Sequence, residues 1–177
     1  MRIISGLHKG RKLSAPKKLP VRPTTDMAKE ALFNILNNIY YFDELSVLDL
    51  FSGTGNISYE FASRGTEDIT SVDNHIGCVK FIEQTSEALD MPINAVKANA
   101  YSYLEKTTHT YSIIFADPPY DFSLDQFERI PNLVFENKLL KDDGILIIEH
   151  SKHTDLSHID RFDFYKQYGG NRFSFFK

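Results

Sequence analysis

Short apolar runs alternate with stretches of helical periodicity along most of the chain. SVLDLF (46–51), DITSVD (68–73), INAVKA (93–98), YSIIFAD (111–117) and GILIIEH (144–150) read as strands. Helical stretches separate them: one up to about Ser63, with Gly65 as its C-terminal cap, then roughly 76–89, 100–106 and 124–138. Upstream, Ala28, Ala31, Leu32, Ile35, Leu36 and Ile39 follow the i, i+3, i+4, i+7 rule. This predicts an amphipathic helix from Thr25, with Thr24, Thr25 and Asp26 all suited to cap it. Segments 162–167 and 171–176, separated by Gly169-Gly170, read as an antiparallel hairpin. Residues 2–6 and 11–15, around Lys9-Gly10, read as a second hairpin, after which Pro16 and Pro20 break the chain. Alternating strand and helix implies a parallel, doubly wound α/β sheet with right-handed crossovers.

At 177 residues and 20.3 kDa the chain holds one domain, with 42% hydrophobic and 25% charged residues, close to globular averages. A single cysteine, Cys78, excludes an internal disulfide framework and a multi-cysteine zinc site. No apolar stretch approaches the ~20 residues that span a bilayer, and the N-terminus lacks a run of signal-peptide length. The expected compartment is a reducing bacterial-type cytoplasm. The net charge of −4 argues against nucleic acid, but its distribution does not. Residues 1–25 carry Arg2, Lys9, Arg11, Lys12, Lys17, Lys18 and Arg22 and no acid, leaving 13 bases and 24 acids on the rest. A basic arm (1–23) on an acidic body (24–177) is the expected layout, and such an arm binds phosphates.

In a doubly wound sheet, ligands sit at the carboxyl ends of the strands. Four stretches fall there: 49–56, 73–75, 98–101 and 117–121. The first, DLFSGTGN, places Gly53 and Gly55 where a tight turn lets backbone approach a ligand. Asp73 follows Gly53 by 20 residues and suits both hydroxyls of a ribose. The dinucleotide fingerprint fails, because Ser58 holds its third glycine position, and no P-loop lysine follows. Asp49 would repel a pyrophosphate but suits a cation, such as the amino group of S-adenosylmethionine. The loop Asp117-Pro118-Pro119-Tyr120 offers a carboxylate, rigid carbonyls without N–H groups, and an aromatic ring. That set suits a planar group bearing an NH2: the ring stacks on it while Asp117 and a proline carbonyl accept its hydrogens. Held so, an otherwise delocalised nitrogen lone pair can be aimed at a methyl carbon.

The motifs DLFSGTGN, SVDN and ADPPY resemble the class I S-adenosylmethionine-dependent methyltransferases that modify exocyclic amines. MRIISGLHKGRKL, VRPTTDMAKEALFNIL and YGGNRFSFF narrow the resemblance to the RsmD-like bacterial 16S rRNA guanine-N2 methyltransferase family, from Arg2 to Phe176. The resemblance implies a Rossmann-like sheet of seven strands with a reversed C-terminal hairpin. It implies that Asp49, Phe51, Ser52, Gly53, Thr54 and Gly55 line the methionine part of the cofactor. Asp73, with Asn74 beside it, would bind ribose, and Arg22, Pro23 and Thr24 would lie beside the cofactor. Asp117, Pro118, Pro119 and Tyr120 would hold a flipped guanine. Arg2, Lys9, Arg11 and Lys12 would contact 16S rRNA within a small-subunit assembly, with the protein a monomer and no metal required. The family usually carries an acid after strand three to contact adenine; here Asn99 stands there, and the Ala100 N–H is an alternative contact.

Other readings compete. A DNA adenine-N6 or cytosine-N4 methyltransferase shares the Asp-Pro-Pro-Tyr chemistry but usually adds a target-recognition segment. A protein glutamine methyltransferase usually has Asn before the prolines. A non-catalytic RNA-binding module could keep the fold. His150, His153 and His158 are close in sequence, but no carboxylate or cysteine cluster completes a metal site. His75 could brush an adenosine, and Cys78 reads as a small core residue rather than a nucleophile.

Overall fold

The structure, a computed structural model, describes residues 1–19 and 24–177. Helix α1 spans Asp26–Asn37, and the Thr25 hydroxyl caps it by accepting from the Ala28 N–H. Its buried face is Ala28, Lys29, Leu32, Phe33 and Leu36. The helical period placed the stripe correctly, but Ile39 lies beyond the Asn38 cap and is exposed. Then follow β1 (Ser46–Leu50), α2 (Asn56–Ser63), β2 (Asp68–Asp73), α3 (Ile76–Ala88), β3 (Ile93–Lys97) and α4 (Ala100–Lys106). The chain continues through β4 (Tyr111–Ala116), α5 (Leu124–Glu136), β5 (Leu140–Ser151), β6 (Phe162–Tyr168) and β7 (Asn171–Phe176).

The strands form one sheet in the order β3-β2-β1-β4-β5-β7-β6. The first five are parallel; β7 runs antiparallel to both β5 and β6. β1 and β4 are buried along their whole length, as central strands covered on both faces should be. One core layer, including Leu48, Ile114, Phe127 and Ile148, packs α4 and α5 on one face. The other, including Leu32, Phe33, Phe61, Val47 and Phe173, packs α1 and α2 on the opposite face. β5 starts earlier than its apolar run suggests. Leu140 pairs with Tyr111 ahead of a register shift, and the exposed Lys141-Asp142-Asp143 belongs to the strand without an apolar signal.

The opening hairpin is short: Arg2 bridges Lys12, and the Ile3 N–H donates to the Arg11 carbonyl. It stops there because other groups take its backbone. The Ile4 and Ser5 N–H groups donate to the two Glu60 carboxylate oxygens at 2.8 and 3.0 Å. Ile3 is buried with Tyr59 and Ile82. At Gly6, with φ of +83°, a Cβ would lie 1.7 Å from the Ser63 carbonyl oxygen, so only glycine fits. Glu60 is fully buried; Lys29 Nζ lies 3.4 Å from it and Arg64 Nη2 2.9 Å. Lys29 Nζ also donates to the Arg2 carbonyl and to Asn56 Oδ1. Burial pulls the Lys29 pKa down, and the Glu60 charge pulls it back up. The basic segment is therefore tied to α1 and α2 through the Glu60 carboxylate, joined by Lys29 on the Arg2 carbonyl and by Ser63, which bonds Ser5, Leu7 and His8.

Removing one member of a buried ion pair strands the other, at about 3–5 kcal/mol. Glu60→Ala should cost stability on that scale in urea unfolding. It should also abolish hydrogen-exchange protection at Ile4 and Ser5 before global unfolding; retained protection there would show that the bonds to Ser63 and Lys29 hold the segment without Glu60.

Candidate active site

The order in which the strands are laid down reverses at β1, whose neighbours are β2 and β4. At that switch point the strand ends splay and open a cavity of about 570 Å³. The first turn after β1 is sharp. Phe51 takes φ of +56°, a conformation that costs a non-glycine residue of order 1–3 kcal/mol and persists only where its surroundings impose it. Its ring is held edge-on by Phe122, with centroids 5.6 Å apart. Gly53 and Gly55 also have positive φ. Gly55 is the N-cap of α2, where a Cβ would meet Ile82 and Tyr59 at 3.0 Å; it serves packing and is not in the cavity wall.

Thr24, Asp49, Phe51, Ser52, Gly53 and Thr54 line one side of the cavity, and Asp73, Asn74, Asn99 and Ala100 another. Asp117, Pro118, Pro119 and Tyr120 close it. The sites proposed at Arg22 and Pro23 lie outside the described residues. Arg2, Lys9, Arg11 and Lys12 do not line the cavity; all four are exposed on the N-terminal segment, Arg2 paired with Asp26.

Asp73 is already engaged by backbone: it accepts from the Gly53 N–H with one oxygen and the His75 N–H with the other, both at 2.8 Å. Each oxygen keeps a lone pair for a hydroxyl. Asp49 is buried, with Oδ2 accepting from the Ser58 hydroxyl at 2.6 Å. Burial raises its carboxyl pKa to about 7, against the lowering effect of Ser58. The Ser52 hydroxyl is buried in the wall with no hydrogen-bond partner among the described residues. A cationic group near Asp49, a diol at Asp73 and a polar atom at Ser52 would complete the hydrogen bonding of this wall. The donor set thus fits an amino acid joined to a nucleoside.

Asn99 is not poised as a plain substitute for an acid. Its Oδ1 caps α4 by accepting from the Tyr101 and Ser102 N–H groups at 3.0 and 3.2 Å. In the Asp-Pro-Pro-Tyr loop, the Asp117 N–H donates to the Leu50 carbonyl at 3.3 Å, and the Pro119 carbonyl accepts from the Phe122 N–H. Pro118 is therefore the proline whose carbonyl is not spent on that turn.

Several wall residues escaped the reading of the sequence. Cys78, Phe115 and Phe122 line the cavity. Phe122, two residues past Tyr120, carried a signal in its position; Cys78 and Phe115 carried none, being apolar residues of regular elements. Burial raises the Cys78 thiol to about 11, which suits a packing role. Two further residues sit behind the loop. Glu149 accepts from the Thr24 hydroxyl at 2.7 Å and from Asn171 Nδ2 at 2.6 Å. The Tyr120 hydroxyl donates to Asn171 Oδ1 at 3.0 Å. Among the histidines, His150 is buried between Ser174 and the Ser151 carbonyl, and His158 meets Glu128 at the surface.

This sheet order, with its cavity at the β1–β4 switch point, defines a class I methyltransferase. The yhhF structure from Escherichia coli superposes with a TM-score of 0.86 at 26% identity, covering 99% of this chain and 96% of that one. The Thermus thermophilus structure titled 16S rRNA N2 G1207 methyltransferase (RsmC), in complex with AdoMet and guanosine, gives a TM-score of 0.72. At 18% identity, over 90% of this chain and 45% of that one, it speaks for the fold. Ribosomal RNA small subunit methyltransferase D of Escherichia coli K12 is 31% identical over 150 residues, 84% of this chain and 74% of its own. That of Haemophilus influenzae is 29% identical over 161 residues, 88% of this chain and 81% of its own. The family model described as "Conserved hypothetical protein 95" matches residues 1–177, and the chain belongs to that family, the RsmD-like methyltransferases.

The raised Asp49 pKa carries a sign. Between roughly pH 4 and 7 the folded state binds a proton that the unfolded state has released, so this group's contribution to stability falls as pH rises. Asp49→Asn cannot titrate. Measured by urea unfolding, the variant should gain on the wild type between pH 5 and pH 8; a constant difference would show that Asp49 is ionised throughout.

Proposed function

We propose that this methyltransferase moves a methyl group from S-adenosylmethionine to the exocyclic N2 of a guanine in 16S rRNA, within an assembling small subunit. The observation that carries the reading is the meeting, in one cavity, of Asp49, Ser52 and Asp73 with the Asp117–Tyr120 loop. The small-subunit rRNA relatives support the RNA class, and the guanosine in the RsmC complex supports the base.

In this reading Asp73 accepts from the ribose hydroxyls and Asp49 faces the ammonium group. Phe51, Ser52, Gly53 and Thr54 surround the methionine part, and Thr24 lies beside it. Asn74 and the Ala100 N–H border the adenosine, where the Asn99 amide NH2 supplies a donor while its oxygen stays on α4. Arg22 and Pro23 are carried as candidates by sequence alone. Bound there, the cofactor supplies an electrophilic methyl carbon on a cationic sulfur. The chain does the rest by positioning. Asp117 and the Pro118 carbonyl accept from the two N2 hydrogens, so the lone pair leaves conjugation and faces the methyl carbon. As the nitrogen took the methyl, the carbon–sulfur pair would stay on sulfur to leave a neutral thioether, and the Asp117 carboxylate would stabilise the positive charge growing on nitrogen. The methylated nitrogen is acidic, so Asp117 need only receive or pass on its proton. Tyr120 covers one face of the base. Arg2, Lys9, Arg11 and Lys12 engage the RNA backbone, and the protein acts as a cytoplasmic monomer without a metal.

Asp117→Ala should reduce transfer by at least about 100-fold while leaving S-adenosylmethionine affinity within a few fold by calorimetry. Undiminished turnover would remove Asp117 from the chemistry. Mass spectrometry of rRNA from cells lacking the protein should show one missing N2-methylguanosine; a different lost modification would refute the target.

Charge reversal of Lys9, Arg11 and Lys12 to Glu should weaken RNA binding and flatten the plot of log affinity against log salt. An unchanged slope would confine the basic segment to a solvation role.

A further inference from the structure

We propose that Asn171 is a positioning residue that fixes the Tyr120 ring for the target base, and that Glu149 sets which way Asn171 faces. The inference rests on the function proposed above. Tyr120 stands at the cavity rim, 38% exposed, on a loop whose two prolines hold the backbone but not the ring. A stacking ring works only if its plane is set before the base arrives. Its hydroxyl donates to Asn171 Oδ1 at 3.0 Å.

Asn171 reaches it because of the reversed strand. β7 opens opposite Ser151, the last residue of β5, so the tip of the β6–β7 hairpin returns to the carboxyl end of the parallel strands. An asparagine amide has a donor end and an acceptor end, and its neighbours must choose between them. Glu149, 1% exposed, takes the Asn171 NH2 at 2.6 Å, which turns Oδ1 toward Tyr120. Glu149 is itself held by the Thr24 hydroxyl at 2.7 Å, and the Thr24 carbonyl by Asn56 Nδ2 at 3.0 Å. The path from α2 to the stacking ring thus runs through four hydrogen bonds, and it also passes beside the cofactor wall at Thr24.

The test is a double-mutant cycle on methyl transfer to small ribosomal subunits purified from cells lacking the protein, with radiolabelled S-adenosylmethionine. Asn171→Ala and Tyr120→Phe should each lower kcat/KM for the subunit about fivefold, the scale of one hydrogen bond, with cofactor affinity unchanged by calorimetry. The double variant should lose about the same fivefold, because both changes break one interaction. A product of the two losses, about 25-fold, would mean that Asn171 acts independently of the ring and would overturn the proposal, as would wild-type turnover in Tyr120→Phe. Should Asn171→Ala melt non-cooperatively, Asn171→Ser, too short to reach the hydroxyl, takes its place in the cycle. If mass spectrometry of the product shows a base other than guanine, the function proposed above fails, while the cycle run on that product still decides the role of Asn171.

Discussion

The Leu50 carbonyl accepts from the Asp117 N–H, and the Val72 carbonyl accepts from the Ser52 N–H. These two bonds continue the β4–β1 and β1–β2 ladders one step beyond the strands, and the site depends on them. They bring the turn after β1 and the loop after β4 to the same height, with the end of β2 on the other side of β1 in reach. Parallel pairing of a central strand with both neighbours makes this possible, because it collects three carboxyl ends on one side. Without it, Asp49, Asp73 and Asp117 would be three unrelated acids.

From that constraint the electrostatics follow. Backbone N–H groups from Gly53 and His75 converge on Asp73, so its charge is stabilised by dipoles rather than by a cation. Ser58 supports Asp49 through both its hydroxyl and its backbone, yet burial still raises the carboxyl pKa. The cavity thus holds one carboxylate prepared for hydroxyl groups and one whose ionisation would gain from a bound cation. The same burial logic works far from the cavity at Glu60, where two cations and two backbone donors gather on one fully buried carboxylate. There the outcome is mechanical: the basic N-terminal segment is fixed relative to α1 and α2, hence relative to Thr24. The basic segment and the cavity wall thus share one mount.

The sequence by itself determined the alternation of strands and helices, because apolar runs and helical stripes report local burial directly. It also singled out Asp49, Gly53, Asp73 and the Asp117–Tyr120 loop, since strand ends and chemical type were enough to mark them. Local pattern was weaker where exposure hid a strand, as at Lys141–Asp143, and where a side chain's duty is set by a distant partner. The Asn99 oxygen, by contrast, caps α4 locally by accepting from the Tyr101 and Ser102 N–H groups. Only the tertiary structure decided that Glu60 ties down residues 4 and 5, and that Glu149 and Asn171 stand behind Tyr120. Those contacts join residues 55, 56, 22 and 51 positions apart. A pattern read along the chain cannot contain them, because hydrogen bonds at such separations are chosen by how the elements pack and not by the residues beside them.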